Sequence, residues 1–170
     1  LGFLKQSYEK AQKEGYILGA KLVRGAYMEK ERKRAADMGY PSPIHDSKAD
    51  TDTDFDDGIT YCIENISGIA SCCASHNQKS SEIYARLLID NNIEGNHPHV
   101  MTSQLYGMSD HLTFNLADAG IHSTKFMPYG PVKEVMPYLM RRAQENTSVT
   151  GDMSREFELI DREMKRRKRK

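Results

Sequence analysis

Apolar residues along this 170-residue chain switch between two periods. Residues 3–14 repeat at helical spacing and end at Gly15, a helix stop signal. "ILGAKLVRG", 17–25, reads as a short buried strand, and "MEKERKRAADMG", 28–39, as a charged helix. A loop with Pro41 and Pro43 follows. "DTDFDDGITYCIENI", 52–66, places Phe55, Ile59, Cys62, Ile63 and Ile66 on one helical face. "GIASCCAS", 68–75, is small and apolar throughout, the pattern of a strand buried on both faces. A helix over 77–92 opens on Asn77, an N-cap residue. Strands at 99–105 and 122–128 alternate with helices at 108–120 and 130–146, and a charged helix over about 152–166 runs into a basic tail.

A leading helix followed by four strand–helix units predicts an α/β fold with parallel strands and crossover helices. Two architectures satisfy that order, an open doubly wound sheet and half of an eight-unit barrel. A complete barrel takes ~250 residues. The chain has no initiator methionine and starts on helical sequence, which suggests a piece of a longer protein. Residues 1–161 read as one domain and 162–170 as a basic tail.

Composition narrows the class. With 38% hydrophobic and 28% charged residues the chain has a globular composition, and its apolar runs are too short for a membrane span. The N-terminus lacks the charged and apolar regions of a signal peptide. The three cysteines, Cys62, Cys72 and Cys73, have no metal-ligand spacing, and the adjacent pair suits reduced, buried thiols and a reducing compartment. Net charge is zero, yet "REMKRRKRK" at 162–170 carries seven bases and one acid. Such a tail binds anionic membranes or nucleic acid, or is simply a frayed, solvated end. The absence of aromatic residues among its cations weakens the nucleic-acid reading.

In parallel α/β folds chemistry collects at the C-terminal strand ends. Here these ends read "KLVRGAYMEKE", "CCASHNQ", "SQLYGM" and "FMPYGP". They offer Lys21 and Arg24 beside Gly25, a polar Ser75-His76-Asn77 run opening a helix, then Leu105 with Gly107, and a turn into the 130–146 helix. Each has an ordinary structural reading as a turn or a cap. Together they suit a phosphorylated cofactor. In the last helix Tyr138, Arg142 and Glu145 fall at i, i+4 and i+7, with Arg141 about 100° round. That face can hold a small anion against a flat ring, although a solvated Arg–Glu pair explains it equally. Neither G-x-G-x-x-G, a Walker loop nor G-x-S-x-G is present.

Five segments in order, "KLVRGAY", "ASHN", "QLYGM", "PYG" and "PYLMRRAQEN", resemble the proline dehydrogenase family across most of the chain. The resemblance implies the C-terminal half of a distorted (β/α)8 barrel. It implies an FAD enzyme that oxidises L-proline to Δ1-pyrroline-5-carboxylate and passes electrons to a membrane quinone. By that likeness Arg141 and Arg142 clamp the substrate carboxylate, Tyr138, Leu105 and Phe126 shape its pocket, and Glu145 holds the arginines near the flavin. Lys21 faces the flavin N5, the catalytic position. Arg24, Gly25 and Ala26 line the flavin and its phosphates, Lys48 and Thr51 reach the pyrophosphate, and Ser75, His76 and Asn77 hold the dinucleotide. Leu22 packs near the flavin and substrate ring.

One departure is Phe126, where many members have tyrosine; it opens a 4-hydroxyproline dehydrogenase reading. The family's substrate lysine and flavin-side aspartate fall outside this chain. Little activity alone and self-association through two open sheet edges are the expectations. A quinone-coupled enzyme implies peripheral contact with a membrane, cytoplasmic in a bacterium or on the matrix side of the mitochondrial inner membrane, and no nucleic acid. A nucleic-acid-binding α/β domain using 162–170, and an α/β scaffold without chemistry, are the rival classes.

Overall fold

The computed structural model describes residues 1–25, 27–148 and 150–168, and of 143–148 and 150–156 the backbone alone. The expectations on Ala26 and on the Glu145 side chain lie outside the described residues. The order is α1 (Gly2–Glu14), β1 (Leu18–Leu22), α2 (Met28–Met38), α3 (Lys48–Glu64), β2 (Ile69–Ala74), α4 (Gln78–Asp90), β3 (Val100–Leu105), α5 (Asp110–Asp118), β4 (Ser123–Phe126), α6 (Val132–Ser148) and α7 (Thr150–Lys168).

All four strands are parallel, in the order β1-β2-β3-β4. That order separates the two architectures left open above. A doubly wound sheet reverses its strand order at a switch point. Here each strand lies beside the next in sequence, with helices between, as in a contiguous half of a (β/α)8 barrel.

The helices cover one face of the sheet. Ile59 and Ile63 of α3, Tyr84 and Leu88 of α4 and Leu116 of α5 close over Cys73 and Val100 as one buried cluster. Burial along β2 alternates between buried and half-buried, so its second face is only partly covered among the described residues, unlike the strand buried on both faces that its composition predicts. Leu22 belongs to the covered side, where its Cδ2 comes within 2.8 Å of where a Cβ on Gly58 of α3 would stand. Leu22 is only partly buried: it packs against the core cluster and also lines the cleft beside β1.

Two departures from the expectation go beyond a shift of a residue or two. α3 starts four residues early because Ser47 caps it, accepting from the Asp50 backbone N–H at 3.0 Å and donating to the Asp50 carboxylate at 2.7 Å. The basic C-terminal segment is helical through its described residues: α7 runs to Lys168. Glu163 accepts from Arg166 one turn on, at 2.6 and 2.7 Å, and from Arg167 at 2.9 Å, the i+3 and i+4 spacing that supports an exposed helix.

Candidate active site

Residues paired across a sheet share a face. Lys21 pairs with Cys72, and Cys72 with Met101. Two steps further along β3 is Leu105, whose partner is Phe126. This face, opposite the helix-packed core, therefore gathers Lys21, Leu105 and Phe126 from three strands. The turn after β4 brings α6 to the same place. Lys21 Nζ stands 4.9 Å from the Phe126 ring centroid. Phe126 meets the Tyr138 ring edge-on at 6.1 Å, and the Arg142 guanidinium lies 5.3 Å from the Tyr138 centroid. The row is cation, ring, ring, cation. Two flat rings between two positive ends suit a small anion bearing an apolar ring. Arg141 lies exposed on the adjoining surface of α6, while Arg142 is half-buried.

A second group surrounds Arg24, which is largely buried. Its Nη1 donates to Asp52 at 2.8 Å and Ser80 at 3.1 Å, its Nη2 donates to Ser75 at 2.7 Å, and it stacks over Phe55 at 4.4 Å. Ser80 in turn donates to Asp56 at 2.6 Å. Arg24 thus ties the end of β1 to the ends of α3 and α4. Asn77 caps α4 by accepting from the Ser80 N–H at 3.1 Å, and Ser75 accepts from the Asn77 N–H at 3.1 Å, so "SHN" is a built helix opening.

Beside β1 is a cleft of about 540 Å³ whose lining includes Lys21, Arg24, Gly25 and Thr51. Gly25 sits at φ +70 with nothing within 4 Å of where a Cβ would stand, an open backbone that a ligand can approach. Lys48 is not in that lining; in the first turn of α3 it pairs with Asp52 at 2.6 Å in solvent. Thr51 donates to the Ser47 carbonyl at 3.1 Å.

His76 connects two strand ends. Its Nδ1 lies 2.8 Å from Ser109 Oγ, and the Leu105 N–H points at its Nε2 from 3.5 Å. Lys125 was not among the expected site residues, yet its Nζ donates to the Met108 carbonyl at 2.5 Å and meets Asp110 at 2.7 Å. Asp52, Ser80 and Ser109 were missed too. "DTDTDFDD" advertises surplus carboxylates, but its spacing does not say which one faces an arginine.

Burial pushes the Cys62 thiol up to about 11 and Cys73 up to about 12, and raises Cys72 as well, with Lys21 partly opposing. All three are unpaired with one another. No cluster of metal-ligating side chains occurs among the described residues.

The residues present fit a flavin dinucleotide in kind: cations at a strand end, an open glycine backbone and a capped helix N-terminus. Comparison with known proteins gives the family. A family model for proline dehydrogenase matches residues 1–155. "Proline dehydrogenase 2, mitochondrial" of Arabidopsis thaliana is 40% identical over 167 residues, which are 96% of this chain and 35% of that protein. "Proline dehydrogenase 1, mitochondrial" of Homo sapiens is 38% identical over 177 residues, 98% of this chain and 30% of that one. Among solved structures, proline utilization A of Bdellovibrio bacteriovorus superposes with a TM-score of 0.77 at 32% identity, over 86% of this chain and 15% of that one. The chain spans about a third of the length of the curated relatives it matches.

Proposed function

Since this chain belongs to the proline dehydrogenase family, we propose that it supplies the substrate clamp and cofactor-facing strand ends of an enzyme oxidising L-proline to Δ1-pyrroline-5-carboxylate, the first step of proline catabolism. The observation that carries this reading is the row Lys21–Phe126–Tyr138–Arg142 on the open sheet face. FAD, when bound, supplies the two-electron acceptor.

The chain's own residues do the positioning. Arg142, with Arg141 beside it on α6, takes the substrate carboxylate through charge-assisted hydrogen bonds. Tyr138 and Phe126 pack on the pyrrolidine ring, with Leu105 at the neighbouring strand end. Fixing the carboxylate fixes the orientation of the adjacent carbon, which is where oxidation occurs. Lys21, at the far end of the row, places positive charge where negative charge builds up on the acceptor. Gly25, Thr51 and the Ser75–Asn77 helix opening hold the dinucleotide, and Arg24 braces that opening from behind.

Residues 1–161 act in this reading as the C-terminal half of the barrel. The basic segment 162–170 faces an anionic membrane, where a quinone takes up the electrons; the relatives' names place them in mitochondria. No helix among the described residues is long and apolar enough to cross a membrane, so this contact is peripheral in the proposal. Vesicle binding that survives removal of 162–170 would exclude it.

A second substrate is favoured by one observation. Phe126 offers no hydroxyl at the ring site, and "Hydroxyproline dehydrogenase" of Xenopus laevis is 38% identical over 177 residues. Rates with proline and 4-hydroxyproline separate the two. The first test is a visible spectrum of the complete protein after mixing with FAD and gel filtration, then anaerobic L-proline. Retention of the flavin band and its bleaching on proline addition are expected. A retained band that neither substrate bleaches overturns the assignment.

A further inference from the structure

Lys125 faces away from the substrate row. In β4 it alternates with Phe126 and projects to the helix-covered side, where it is mostly buried. Its ammonium group meets three oxygens of one turn: the Met108 carbonyl at 2.5 Å, the Asp110 carboxylate at 2.7 Å and the Leu105 carbonyl at 3.5 Å. This is the turn between β3 and α5, and it is an awkward one. Gly107 has φ +76, and Ser109, which carries a side chain, has φ +51. A non-glycine residue in the left-handed region persists only where its surroundings impose it. Ser109 also makes no side-chain cap for α5. Its hydroxyl instead goes to His76 Nδ1, while Leu105, at the start of the turn, directs its N–H at His76 Nε2.

We propose that Lys125 is a positioning residue for the cofactor and substrate sites, acting through His76. One cation gathers the carbonyls of residues 105 and 108, and so curls the turn until Ser109 and Leu105 address the two ring nitrogens of His76. An N–H directed at Nε2 makes that atom the acceptor, so Nδ1 carries the proton and donates to Ser109. Lys125 thereby fixes the tautomer and ring plane of His76 at the α4 opening, and sets Leu105 beside Phe126. The inference rests on the functional reading above, which gives His76 and Leu105 their ligands.

The test uses the complete protein. Lys125→Met keeps the apolar length of the side chain and removes the cation. It is expected to weaken FAD retention and to raise the KM for proline by about tenfold each, as loss of an outer-shell partner does at metal sites, with kcat changing less. Lys125→Arg, which can still reach carbonyls and a carboxylate, is expected to restore most of both. In a double-mutant cycle with His76→Ala, the Lys125→Met effect on FAD affinity is expected to vanish, because the lysine acts through the histidine. Additive effects would overturn the proposal and leave Lys125 a stabilising residue only. An unchanged FAD affinity in a folded Lys125→Met protein would overturn it too. Should the unsubstituted protein retain no flavin, the functional reading itself fails, which is a different result.

Discussion

The two faces of the sheet use the same four strands for opposite purposes. The helix-covered face is buried along β2 and β3: Ile69 and Val100 expose 1% or less, and Ile59 of α3, clustered with Val100, exposes none. The other face carries Lys21 and leaves Phe126 43% exposed. A single residue separates them, since Lys21 and Leu22, or Lys125 and Phe126, are neighbours in sequence and point to opposite sides. Strand alternation is therefore what sets the packed core apart from the face proposed for ligands. The covered face tolerates little change of volume, while a change of charge or ring type on the open face is expected to act on ligands rather than on folding stability.

Cutting the covered face gives the largest expected effect. Ile59→Ala removes three buried carbons from the main cluster, and its expected cost is about 3–4 kcal/mol of folding stability, within the range for large-to-alanine core substitutions. Denaturant unfolding of the chain measures it. Under conditions where the variant stays folded, the complete protein should keep its affinity for proline. A lost affinity there would show that the faces are coupled rather than separate.

The mirror experiment is Arg142→Met on the open face. If Arg142 holds the substrate carboxylate, its loss costs about 2–3 kcal/mol of binding, on the order of 100-fold in kcat/KM for proline in the complete protein. The unfolding midpoint should move far less than for Ile59→Ala. A variant that unfolds early but binds proline normally would reverse the assignment.

This separation was only partly legible in the sequence. The element order, the Gly15 stop and the Asn77 cap could all be read, because period and caps are local signals. The faces could not. "GIASCCAS" looks uniformly buried because its residues are small, and small residues do not record which side is open. The early start of α3 did have a signal, Ser47 three residues before Asp50, masked by the proline loop ahead of it and the aspartate run after it. The role of Arg24 depends on Asp52 and Ser80, which are 28 and 56 residues away in sequence, and no spacing rule links them. Lys125 was invisible for the same reason: its partners are backbone carbonyls of a turn whose curl is not encoded by residue type alone.

A finer probe of the open face is Phe126→Tyr, which adds one hydroxyl to the middle of the row. It is expected to shift the ratio of kcat/KM values toward proline and against 4-hydroxyproline by about threefold to tenfold, the modest discrimination available from a single group in a largely apolar pocket. Stability should hardly move, since the side chain is half in solvent. An unaltered ratio would remove Phe126 from the specificity site while leaving the clamp intact.

The smallest effect is expected where neither face is involved. On α7 the hydrogen bonds of Arg166, then those of Arg167, hold the Glu163 carboxyl down to about 2 from 4.5. A group whose folded value is depressed adds stability above its unfolded value and loses it as pH falls through the folded one. The helical contribution of this cluster should therefore be complete above about pH 4.5 and fade between about pH 4.5 and 2. Because Glu163 and its partners are in solvent, salt should screen most of the effect. Circular dichroism of the chain against its Glu163→Gln variant across that window, at low and high salt, reads the difference directly. A gap that persists at high salt would mean that α7 is packed more tightly against its surroundings than its exposed pairs imply, and the basic segment would then be part of the folded body rather than a surface for a membrane.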